Sequence, residues 1–145
     1  MTLVRVAALI GVSLLVTVVN VGMSVLYMVV YGHLINPGHP REFYDEHIKI
    51  AAPYCSIVAG MPLMFVASLW VAGWGGSEGQ LGAKAALVVW LAYALVDLGV
   101  LFAAGMTAKI AVLCAVSLLT KLAAAYAGAL AAVHHAARHG SAGLG

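Results

Sequence analysis

Charge is what this chain has least of. Lys, Arg, Asp and Glu together supply 8% of its residues, against about 25% in a soluble globular domain. A soluble domain of 145 residues keeps much of its surface in water and has nowhere to hide an apolar majority, so that class is excluded. The few charges nearly cancel, leaving a net +2, and they form no basic stripe, which argues against nucleic acid as a partner. Cysteine is also scarce. Cys55 and Cys114 both fall in apolar runs and make no CxxC pair. Metal or thioredoxin-like chemistry is therefore not expected of them, and inert, buried thiols are. No HExxH and no repeated ExxH pair occurs.

What the chain does have is apolar length, with 64% hydrophobic residues. A membrane-spanning helix needs about 20 of them in a row. Four segments qualify, over about residues 6–31, 48–74, 85–104 and 109–133. The first follows Arg5 and starts like a signal peptide. Its run exceeds the roughly 7–15 residues of a signal core and no A-x-A site ends it, so it reads as a retained helix. The expectation is an all-α integral membrane protein, one four-helix domain whose first partner is the lipid bilayer.

Two connections are short. Gly105-Met106-Thr107 predicts a tight antiparallel hairpin between the third and fourth spans. The stretch GWGGSEGQLG between the second and third is glycine-rich and lacks the periodicity of an element. Residues 140–145 read as a flexible tail. The two halves show no internal repeat, which counts against an inverted-repeat transporter. Arg5, Lys84 and Arg138 fall on one side of the membrane and Arg41, Lys49 and Lys109 on the other. That tie leaves the positive-inside rule little to act on. Both termini share one side, taken here as cytoplasmic.

The first connection is the most polar stretch, GHLINPGHPREFYDEHIKI. Pro37-Gly38 marks a turn, and Pro40 suits the first turn of a helix, where its missing N–H costs nothing. Glu42, Asp45 and Glu46 follow, favoured near the positive end of the helix dipole. Residues 39–49 predict an amphipathic interfacial helix leading into the second span. His33, His39, Glu42 and Glu46 are the metal candidates, since imidazole and carboxylate suit zinc or iron. Local ion pairs, Arg41–Asp45 and Asp45–Lys49, are the preferred reading of this segment, and no cofactor is expected. His134, His135 and His139 follow the fourth span, on the opposite membrane face, so the six histidines do not make one site.

Small residues recur at helical spacing. Ala123, Ala127 and Ala131, with Ala124 and Gly128 beside them, mark one stripe, and Ala52, Ser56 and Gly60 mark another. Such stripes let membrane helices approach closely, within a bundle or between protomers. Pro53 and Pro62 each remove a backbone hydrogen bond and predict a bend.

Two charges lie deep in the spans. Asp97 sits in WLAYALVDLGVLFAAG and Lys121 in AVSLLTKLAAAYAG. Each costs about 2.5–3.5 kcal/mol at the bilayer centre, so each should face the bundle interior. Measured from Met106, Asp97 lies nine positions before the turn and Lys121 fifteen after it. Their offset is roughly 9 Å along the axis, and helical side chains lean toward their own N-terminus, which points the two at each other. A direct or water-bridged pair is expected, with Asn20 at similar depth and Tyr93 one turn away as further members.

Three functions fit these observations. The first is a non-enzymatic accessory or structural subunit, acting through helix contacts in a homo- or hetero-oligomer. The second is a small transporter or channel using Asp97, Lys121 and Asn20. The third is a membrane enzyme with its site at the interfacial His/Glu segment. Sparse polar chemistry and abundant small residues put the subunit first.

Overall fold

In the computed structural model, the described residues are 2–74, 79–105 and 107–141. Four α-helices run through them: α1 (Leu3–Val30), α2 (Arg41–Gly73), α3 (Gly79–Ala104) and α4 (Ala108–Ser141). Each is long and apolar enough to cross a membrane. The chain is an all-α bundle, as its composition requires, because only a helix satisfies every backbone group within its own segment when lipid offers no partners. Polar side chains inside the spans follow the same rule. Thr17 and Ser24 turn their hydroxyls back onto the carbonyls of Ser13 and Asn20, four residues earlier.

The helices outrun the spans read from hydropathy, chiefly at polar ends. The segment 39–49 is not a separate interfacial helix. Residues 41–49 form the opening turns of α2, which continues unbroken through Pro53 and Pro62. Pro40 is the residue preceding the helix, with extended backbone, and Arg41 begins it. At 33 residues, α2 is roughly 50 Å long, well beyond the ~30 Å hydrocarbon core, so its polar turns project from the apolar zone. α4 runs to Ser141, making Gly140 and Ser141 helical where a tail was expected. Residues 75–78 of the glycine-rich loop, Met106 of the hairpin and 142–145 of the tail lie outside the described residues.

Between α3 and α4, Gly105 adopts φ +87, the left-handed conformation that ends helices and that only glycine takes without strain. Thr107 then caps α4, its hydroxyl accepting from the Ile110 N–H at 3.4 Å. Between α1 and α2, a π-helical turn (Tyr31–Ile35) widens the end of α1. Tyr44 ties the connection down by donating to the Asn36 carbonyl at 2.8 Å and accepting from the His39 N–H.

The core is asymmetric along the bundle. Leu9, Val12 and Val16 of α1 meet Met64, Ala67 and Val71 of α2, Ala85, Val89 and Tyr93 of α3, and Ala125 of α4. These positions all belong to the half that holds the α1 N-terminus. α2 and α4 pair most closely, and glycine permits it. A Cβ at Gly128 would lie 2.5 Å from the Phe65 carbonyl oxygen. Of the small residues expected to pack on α4, Gly128 is buried, beside Ala125 and Ala129, Ala124 and Ala131 are half-buried, and Ala123 and Ala127 lie on the outer face of the bundle. Small residues abound on every side of α4, so spacing alone did not distinguish the inward face. On α2, Gly60 is buried, and Ala52 and Ser56 are half-buried.

Candidate functional site

Mid-bundle polar residues divide into two groups. The first is closed. Lys121 is completely buried, and Asn20 and Tyr93 nearly so. Lys121 Nζ donates to Ser56 Oγ at 2.7 Å and to Tyr93 Oη at 2.8 Å. Asn20 Nδ2 donates to the same two oxygens, at 3.2 and 2.9 Å. One residue from each helix thus joins a four-membered knot. Gly60 makes room for it, since a Cβ there would overlap Lys121 Cε. Trp90 adds a further tie between α3 and α4, its indole N–H donating to the Leu118 carbonyl at 3.0 Å.

Asp97 belongs to the second group. No ion pair or hydrogen bond joins it to Lys121 among the described residues, so the direct pair expected from sequence does not form. The physical reason is reach. A short carboxylate begins about 9 Å along the axis from Lys121, and the phenol of Tyr93, one turn nearer, takes the ammonium first. The two charges stay within electrostatic range. Among the described residues Asp97 accepts one hydrogen bond, from the Cys114 thiol to Oδ2 at 4.0 Å.

What Asp97 faces is a cavity of about 1010 Å³. Its floor carries Asn20, Ser56, Asp97 and Ser117, and its rim carries Gly32, His33, His39 and Lys49 with Gly105 of the α3–α4 turn. The two connections at this end of the bundle therefore border one vestibule. Asp97 precedes Gly105 by eight positions, which sets the floor roughly 12 Å inside the helix end. Beyond the floor lie the knot and the apolar core. Asn20 Oδ1 and Ser117 Oγ, on residues that border the floor, are themselves sealed from it and have no hydrogen-bond partner among the described residues.

In comparisons with known proteins, the chain matches no family model, no curated protein and no solved structure.

The remaining candidates are scattered. His33, His39, Glu42 and Glu46 are all exposed. His33 Nδ1 bonds its own helix at the Val29 carbonyl, and His39 Nε2 bonds Asn36 Oδ1. Among the described residues no group of three or more His, Cys, Asp or Glu comes together to hold a metal. Of the two expected ion pairs, Arg41–Asp45 forms at 3.8 Å between exposed side chains and is worth little. Asp45–Lys49 does not form. The cysteines are half-buried rather than sealed. Cys114 lines the vestibule and Cys55 a second cavity of about 510 Å³ between α1 and α2.

Sequence reasoning passed over Ser56 as a polar ligand, reading it only as a small residue. It also passed over the stack at the end of α1. His47 lies 4.0 Å from the Tyr31 ring at an interplanar angle of 5°, and its Nε2 is 3.1 Å from Tyr27 Oη in a hydrogen bond. Tyr27 and Tyr31 are one turn apart, a spacing that signals a shared face.

Proposed function

We propose that this chain is a small solute-binding transport protein of the membrane, with the vestibule as its binding site and Asp97 as the group that recognises the solute. The observation that carries this reading is the cavity that reaches into the bundle to a carboxylate that, among the described residues, no cation neutralises by contact. A charged residue inside a span faces a water-filled cavity or a partner and marks a pathway for ions or substrates. A largely apolar pocket with a few converging polar groups is the usual form of a small-molecule site. The knot holds the helices and the vestibule receives the ligand; Asn20 and Ser56 border both, while Lys121 and Tyr93 belong to the knot alone and Asp97 to the vestibule. Transport would require the closed half to open in turn.

The accessory-subunit reading has less to support it. It rests on exposed apolar helix faces, which lipid covers equally well. The enzyme reading loses its constellation, because the His/Glu segment gathers no site among the described residues.

The test is one-sided access to Cys114 in a Cys55→Ala background. A membrane-impermeant maleimide should label Cys114 from one face only, in intact cells or in inside-out vesicles but not both. Leu101→Trp, which fills the vestibule wall, should slow labelling. Absence of labelling from both faces would refute an open vestibule.

A further inference from the structure

The vestibule offers a ligand one sign of charge. Lys121 has no exposed surface and gives two of its three donors to Ser56 and Tyr93, so an anion reaching the floor would meet Asp97 and not the ammonium behind it. Asp97 is half-buried and lines the cavity, so it is the charged group that a ligand at the floor meets, and a carboxylate complements a positive charge. The walls are apolar, formed by Val21, Val25, Met28, Leu101 and Leu113. A strongly hydrated inorganic ion gains nothing from such walls, whereas a neutral apolar solute would cover the carboxylate without pairing it, which is costly.

Resting on the vestibule reading above, we propose that the solute is a lipophilic monovalent cation, a quaternary or protonated amine or its phosphonium equivalent. Its charge pairs with the Asp97 carboxylate and its apolar body lies against the α1, α3 and α4 walls. At the rim, Lys49 is exposed and held in bulk water, where its charge is screened, so it does not bar entry.

Tetraphenylphosphonium, tetraphenylborate and triphenylphosphine oxide have similar apolar bodies and carry positive, negative and no charge. Each is titrated into the full chain in zwitterionic-lipid nanodiscs, with uptake by empty nanodiscs subtracted. The expected result is saturable binding of the phosphonium, stronger than either other probe. Asp97→Asn should weaken it by at least about tenfold, the loss expected when one partner of a poorly solvated charge pair is removed, and Asp97→Glu should restore it. In the Cys55→Ala protein, bound phosphonium should also slow N-ethylmaleimide at Cys114, which needs no substitution of Asp97. Equal or tighter binding of the borate or the oxide, with Cys114 protected, would overturn the cation assignment and leave the vestibule standing. Unchanged phosphonium affinity in Asp97→Asn would also overturn the assignment. If none of the three binds or protects Cys114, the vestibule reading fails and this proposal fails with it.

Discussion

Substituting Gly60 by alanine should destabilise the bundle, and the structure gives both the size and the cause. In an unobstructed helix the change favours folding by about 1 kcal/mol, because alanine restricts the unfolded chain. At Gly60 the new methyl meets Lys121 Cε. That side chain is flexible in principle, but its end is held by Ser56 and Tyr93, so moving aside breaks both bonds. Interhelical hydrogen bonds in membranes average about 0.6 kcal/mol and reach about 1.7. Overpacking adds about 1–3 kcal/mol. After the helix gain is subtracted, a net loss of roughly 1–3 kcal/mol remains. In a Lys121→Ala background the methyl enters vacated space, and the cost of Gly60→Ala should vanish, a coupling of at least ~1 kcal/mol. Reversible unfolding in mixed micelles, followed by steric trapping, measures all four proteins. Additive costs, with Gly60→Ala equally damaging in both backgrounds, would refute the knot. Gly22→Ala supplies the control, since nothing lies within 4 Å of a Cβ there, and it should be neutral or stabilising.

Gly128→Ala should cost about 1–3 kcal/mol in the same unfolding assay, and removing Lys121 should not relieve it, because the obstruction is the α2 backbone at Phe65. Ala123→Leu, on the exposed side of α4, should change stability by no more than about 0.5 kcal/mol; a larger loss would return Ala123 to a packed interface. Trp90→Phe forfeits one interhelical bond and should cost about 1 kcal/mol, with a loss above about 3 kcal/mol, beyond any single such bond, pointing to a wider role for the indole. Asp97→Asn should leave the thermal unfolding midpoint within a few degrees of the parent, since its one hydrogen bond among the described residues is from a thiol at 4.0 Å. A collapse of the fold would show that the carboxylate is structural.

The fate of the polar residues shows how far one-dimensional reasoning carries. Depth along a helix follows from a constant rise per residue, so counting along the chain is enough to set Asn20, Tyr93 and Lys121 near one level. Counting does not choose their partners. That depends on how far each side chain reaches across the bundle, and a long phenol on α3 intercepts Lys121 where a short carboxylate one turn away does not. The same limit applies to the small residues. Ala123, Ala127 and Ala131 satisfy the spacing rule as well as Ala125 and Ala129 do, and only the approach of the α2 backbone to Gly128 tells the two stripes apart.

Composition alone determined the class, since a chain with so few charges and so many apolar residues can be satisfied only by lipid and by helices that close their own hydrogen bonds. It also determined that Asp97 and Lys121 must face inward, because either charge in lipid is costly. The tertiary structure decided that they do different things. Packing sealed Lys121 into a knot of four helices and left Asp97 on the floor of a vestibule. Whether a buried charge becomes a tie or a site is set by the neighbours and the empty space around it, which arise only when distant segments of the chain meet.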